Sequence, residues 1–161
     1  MDPSSSPQVF SIRKAQPDEV IQQLRIQIDA LRTLCRQDYA PEQIEGLIER
    51  NIRYSSRGGY QREITLVAEA DGMIVGFSAL LGRRISAVYV HPQYVRQGIG
   101  SRLLAALERI AATQKIITLR VAASLTAHPF YQANGYQVIG ESYLGVHKGL
   151  RVRYIDMKKR L

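Results

Sequence analysis

Tryptophan is absent from the 161 residues, and cysteine occurs once, at Cys35. No apolar run approaches the roughly 18 residues needed to span a bilayer. One cysteine excludes an internal disulfide framework and a cysteine-rich metal site. His91, His128 and His147 stand too far apart for a local metal motif, so no metal is expected. The N-terminal MDPSSSPQVF is acidic and prolyl, unlike the basic-then-apolar order of a signal peptide. A soluble cytoplasmic protein without membrane contact is expected. Acidic residues are scarce in the second half: residues 72–161 hold 13 Lys and Arg against 3 Asp and Glu, whereas residues 1–71 hold 9 against 11. That asymmetry fits an anionic ligand or partner bound there, and equally a solvated basic surface.

With 45% hydrophobic and 22% charged residues, the composition is that of a globular chain long enough to bury a core. Residues 1–8 read as a disordered leader and 9–161 as one domain. A first strand is expected over 9–15. Val20, Ile21, Leu24, Ile28, Leu31 and Leu34 recur at helical spacing and predict an amphipathic helix over 17–37. A second helix is expected over 41–54, its Glu42, Glu45 and Glu49 on one face and Arg53 placed to pair with Glu49. SRGGYQRE (56–63) reads as a loop. Two strands joined at Asp71 and Gly72 form a hairpin, followed by ISAVYV (85–90), apolar on both faces as in a strand covered on both sides. A helix is expected from Ile99 to Gln114, a strand over 115–124, a short helix capped by Thr126, and strands over 136–142 and 151–157. Three consecutive strands followed by strand–helix–strand units give an α/β (α+β) chain with a central mixed sheet flanked by helices. A ligand would sit at the C-terminal end of the strand before the glycine-bearing helix.

That helix opens with HPQYVRQGIGSRLL (91–104). A helix N-terminus exposes unpaired amides and the positive end of the macrodipole, and glycine removes the side chains that would hold an anion away. Gly98 and Gly100 meet that need, with Arg96 adding charge. The dinucleotide fingerprint would require glycine where Leu103 stands, and the ATP-type phosphate loop requires Gly-Lys-Ser/Thr, which is missing. Spacing alone leaves a phosphate cradle and a structural cap both open.

VYVHPQYVRQGIGSRLL followed by SLTAHPFYQANGY resembles the acetyl-CoA-binding core of the GCN5-related N-acetyltransferase (GNAT) family, over roughly residues 9–160. The family pattern is Gln or Arg, two residues, Gly, one residue, then Gly or Ala; Gly98, Ile99 and Gly100 match its end, and Val95 departs from its first position. The resemblance implies that amides from Arg96 through Gln97, Gly98, Ile99 and Gly100 to Ser101 cradle the CoA pyrophosphate. It further implies that the backbone of Val88, Tyr89 and Val90 pairs with the pantetheine arm like an added strand, one amide there serving as oxyanion donor. Thr126 stands where many members bond the pantetheine through Asn. Tyr131 matches the general acid for the leaving thiolate. A tyrosine of pKa about 10 is protonated at neutral pH, yet transfer to a thiolate of pKa about 8.5 is uphill by roughly 2 kcal/mol. It therefore acts as a hydrogen-bonding acid while the bond breaks.

The implied activity is direct acetyl transfer from acetyl-CoA to a primary amine, on a small molecule, a peptide N-terminus or a lysine. Relatives often place a carboxylate on the strand at 85–90, but ISAVYV has none. Glu69, Glu141 and His147 remain as candidate bases, alongside water relay and electrostatic depression of the amine pKa. His91 reads as a turn residue beside the cofactor loop, and Cys35 as a buried structural thiol. Two other readings stand beside the enzyme: a basic nucleic-acid- or ribosome-associated module, and a CoA-binding domain that has lost catalysis. Aromatic interleaving and a nucleic-acid fold signature are both lacking, which disfavours nucleic acid as a partner. Relatives often form homodimers.

Overall fold

The structure, a computed structural model, describes residues 9–161; the leader expected over residues 1–8 lies outside the described residues. Strand β1 (Ser11–Lys14) leads through a 3-10 turn (Pro17–Glu19) into α1 (Val20–Leu34) and α2 (Pro41–Ser56). A second 3-10 turn (Gly59–Arg62) precedes β2 (Ile64–Ala70), β3 (Met73–Leu81) and β4 (Arg84–Val90). Then come α3 (Ile99–Thr113), β5 (Thr118–Ser124), α4 (His128–Ala133), β6 (Gln137–Gly145) and β7 (Arg151–Arg160). The loop expected over 56–63 is thus partly helical. The last two strands run beyond their expected ends, because β6 and β7 pair with each other from Gln137–Lys158 to Gly145–Arg151.

All seven strands join one sheet in the order β1-β2-β3-β4-β5-β7-β6. Only β4 and β5 are parallel, the other neighbours being antiparallel, so the sheet is mixed as expected. The β4–β5 register contains just Arg84–Arg120 and Ile85–Val121. Past those pairs the two strands part. The cause is visible in β4: Ala87 pairs with Ala79 and Ile85 with Leu80, leaving Ser86 as an extra, bulged residue. A bulge increases local twist and turns a strand away from its neighbour. Past the bulge, Ala87–Val90 keep β3 on one edge while the other faces the split.

Helix α3 covers one face of the sheet, packing Ile99, Leu103, Leu104 and Leu107 onto Val75, Ile85 and Leu119. On the other face, Leu31, Ile44, Leu47 and Ile48 of α1 and α2 gather with Val152. Each such aliphatic side chain contributes about 1.5–3 kcal/mol on burial. The expected stripe of α1 is corrected. Ile21 and Leu34 stand exposed, while Gln23 and Gln27 are buried with Ile26, Ala30 and Leu31. Tyr60 provides a reason: its hydroxyl donates to Gln27 Oε1 at 3.1 Å, giving the inward amide a partner that periodicity could not reveal. Among the described residues, no helix is long and apolar enough to cross a membrane.

Candidate active site

The split between β4 and β5 is bordered by the start of α3 and by α4. Two left-handed residues, Arg96 (φ 62°) and Gly98 (φ 80°), turn the chain into α3. The first amide bonded to that cap is Arg102, at 3.1 Å from the Gly98 carbonyl. The amides of Ile99, Gly100 and Ser101 precede it at the helix end, where no intrahelical acceptor exists. The two glycines have different local reasons. Gly98 needs its positive φ, and no atom lies within 4 Å of where its side chain would begin. Gly100 sits against Phe130 of α4, whose Cε2 would be 3.2 Å from an added Cβ. Gln97 and Ser101 are exposed, Ile99 is buried, and Asn134 Nδ2 lies 3.4 Å from Ser101 Oγ. The open space, free amides and nearby Arg96 suit a pyrophosphate.

Val88 and Val90 point to the α3 side of the sheet and Tyr89 to the other, where it stacks on Phe77 at 5.6 Å. Among the described residues, no strand pairs with the second edge of Val88–Val90, which leaves that backbone available to an extended ligand. His91 caps the following turn, its Nδ1 accepting from the Gln93 amide at 3.1 Å.

Thr126 is not the cap of α4. That position belongs to Ala127, whose amide donates to Ser124 Oγ at 3.0 Å. The Thr126 hydroxyl instead donates to Asp38 Oδ2 at 2.6 Å, fastening the α1–α2 connection to the β5–α4 turn. Tyr39 ties the same parts: its hydroxyl donates to the Arg153 carbonyl at 2.5 Å and accepts from the Leu125 amide at 2.9 Å. Cys35 is buried beside them, and desolvation raises its thiol pKa, which suits a structural thiol.

Tyr131 of α4 is 4% exposed, with edge-on contacts to Phe130 at 5.1 Å and Tyr136 at 5.5 Å. Its hydroxyl has no hydrogen-bond partner among the described residues. Burial drives its pKa well above the ordinary phenol value, and the neighbouring phenols of Tyr89 and Tyr136 add to the rise. The phenol therefore keeps its proton over the working pH range and can donate.

The three candidate bases stand apart from the split. Glu69 lies on β2, beyond β3, and accepts from Arg13 Nε at 3.0 Å. Glu141 lies on β6, beyond β7, and pairs with Arg153 at 2.7 Å. His147 lines a cleft of about 370 Å³ between α2 and the β6–β7 connection, together with Glu49 and Arg53. Sequence reading missed a polar group on the α1–α2 side of β4: Gln27, Tyr54, Tyr60 and Glu63. Three of these stand in segments read as a helix end and a loop, where no local pattern marks them.

A mixed sheet parted between two parallel strands, with a glycine-turned helix N-terminus at the opening, defines an acyl-CoA-binding fold. The family model "Acetyltransferase (GNAT) domain" matches residues 35–161. The chain belongs to that family, and is an N-acetyltransferase that takes its acetyl group from acetyl-CoA. It is 30% identical over 131 residues to the uncharacterized N-acetyltransferase YafP of Escherichia coli K12, covering 81% of this chain and 83% of that one. A crystal structure of a GCN5-related N-acetyltransferase (aminotransferase, class-II) from Rhodopseudomonas palustris superposes with TM-score 0.89 at 28% identity, over 98% of this chain and 97% of that one. PaiA N-acetyltransferase of Thermoplasma acidophilum, solved with coenzyme A, shares the fold with TM-score 0.71 at 20% identity, over 95% and 99% of the two chains.

Proposed function

We propose that the protein transfers acetyl directly to a primary amine, with Tyr131 as the hydrogen-bonding acid at the departing sulfur. The observation that carries this reading is Tyr131 itself, 4% exposed beside the split, whose hydroxyl makes no hydrogen bond among the described residues yet is not sealed from solvent. Acetyl-CoA supplies the activated acyl group as a thioester. The amides of Ile99, Gly100 and Ser101, with Arg96, hold the pyrophosphate, and the free edge of Val88–Val90 aligns the arm that bears the acetyl. Tyr131 then donates to the sulfur as its bond to carbon breaks. Because burial disfavours the phenolate, the proton moves only as the bond breaks and not beforehand.

Tyr131→Phe tests the assignment. Turnover should fall about 100-fold or more, while calorimetric affinity for CoA stays the same. Unchanged turnover would remove Tyr131 from the chemistry, and a parallel loss of CoA affinity would make it a packing residue.

A further inference from the structure

An alkylammonium of pKa about 10.4 is almost wholly protonated at neutral pH, so the acceptor must lose a proton before its nitrogen can attack. Strand β4 has no carboxylate of its own. The connection before β2 brings one to it. Glu63 Oε1 accepts from the Tyr54 hydroxyl at 3.0 Å, while Oε2 is closed off from solvent with no hydrogen-bond partner among the described residues. Ser86, the bulged residue where β4 leaves β5, turns its hydroxyl toward the same carboxylate without closing a bond to that oxygen. Next to Glu63 stands Tyr60, bonded to Gln27, and beyond it Tyr89, the β4 neighbour of Tyr131. Glu63, Tyr60 and Tyr89 thus lie on the way from the β4 bulge toward the proposed acid, near enough to influence one another electrostatically.

We propose that Glu63, delivered to the β4 bulge from outside the strand, takes the proton from the acceptor's ammonium. The inference rests on the reading of Tyr131 as the acid of the same site. The groups facing Glu63 are Tyr54 from α2, with Arg50 and Arg62 beyond it, Tyr60 from the 3-10 turn, and Ser86 from β4. Burial raises the Glu63 carboxyl above the usual carboxylate range, opposed only in part by Ser86 and Tyr54, which makes it a stronger base. The rings of Tyr60 and Tyr89 favour an alkylammonium through their π faces. Glu63 accepts the first proton from nitrogen; the C–N bond forms and the C–S bond breaks. Tyr131 gives its proton to sulfur and regains one from the acylated nitrogen, and Glu63 releases its proton to water.

Two probe amines separate this role from a structural one: butylamine, protonated at neutral pH, and trifluoroethylamine, largely neutral there. Glu63→Gln should lower kcat/KM for butylamine about 100-fold and for trifluoroethylamine only a few-fold, with CoA affinity unchanged. Equal loss on both amines, or loss on neither, overturns the proposal. Tyr131→Phe should depress both amines alike, so failure of the acid assignment is read separately. If the wild-type enzyme acetylates neither probe, the isotope-labelled carboxyl resonance of Glu63, assigned by its loss in Glu63→Gln, decides. It should move on adding butylammonium and stay fixed on adding butanol. A resonance that ignores butylammonium overturns the proposal, whereas a shift without turnover supports the amine site and counts against acetyl transfer.

Discussion

Two glycines of one helix start have different physical duties, and single substitutions separate them. Gly98→Ala places a Cβ on a φ of 80°, a conformation that disfavours an L side chain by about 1 kcal/mol or more, although the space there is open. Gly100→Ala meets Phe130 instead, at 3.2 Å, and strains the α3–α4 contact by a comparable amount. Thermal unfolding should show both losses. Phe130→Leu should restore Gly100→Ala and leave Gly98→Ala unrepaired, a non-additivity expected only of residues in contact. Equal behaviour of the two alanines toward Phe130→Leu would refute the distinction. The motif was legible in the sequence because helix-end chemistry needs particular residues at fixed spacing. The contact of Gly100 with Phe130 was not, since it joins residues thirty positions apart. Glu63 was hidden for the same reason: nothing local links a carboxylate before β2 to a bulge in β4.

Elements were legible wherever periodicity and turn chemistry agreed, as in α3 and the β2–β3 hairpin. They failed where polar residues face inward. Gln27 faces inward because Tyr60 of the following 3-10 turn offers its amide a hydrogen bond, a partner that a hydrophobicity pattern cannot count, whereas Gln23 is buried beside it with its Oε1 unpartnered among the described residues. The α1–α2 connection carries a related device. Tyr39 holds the turn after β5 and strand β7 through one hydroxyl, at 2.9 Å and 2.5 Å. Tyr39→Phe removes both bonds and leaves the Leu125 amide and the Arg153 carbonyl short of a partner. Equilibrium unfolding should lose about 2 kcal/mol. Amide exchange at Leu125 should quicken relative to the strands of the α3 side. Unaltered exchange there would mean that the turn holds itself.

At the scale of the whole molecule, the unusual commitment is to buried phenol. Burial raises the pKa of Tyr39 to about 12 and lifts Tyr60, Tyr131, Tyr136 and Tyr154 further still. In the unfolded chain each titrates near 10. Above that pH the unfolded state loses protons that the folded state retains, so stability is complete below about pH 10 and declines as pH rises toward the folded values. A fully buried phenol contributes up to about 1.4 kcal/mol per pH unit in that window. Tyr136 isolates one share of the effect. It is 2% exposed, and its hydroxyl is buried without a partner among the described residues. Tyr136→Phe removes an unsatisfied polar group while keeping the ring against Tyr131, so stability at neutral pH should hold or rise by up to about 1 kcal/mol. The same variant should flatten the alkaline decline by one phenol's share, with denaturant unfolding and tyrosinate absorbance followed together. A slope identical to that of the wild type would show that Tyr136 ionises freely in the folded protein, and the alkaline limb would then belong to the other tyrosines whose pKa burial raises.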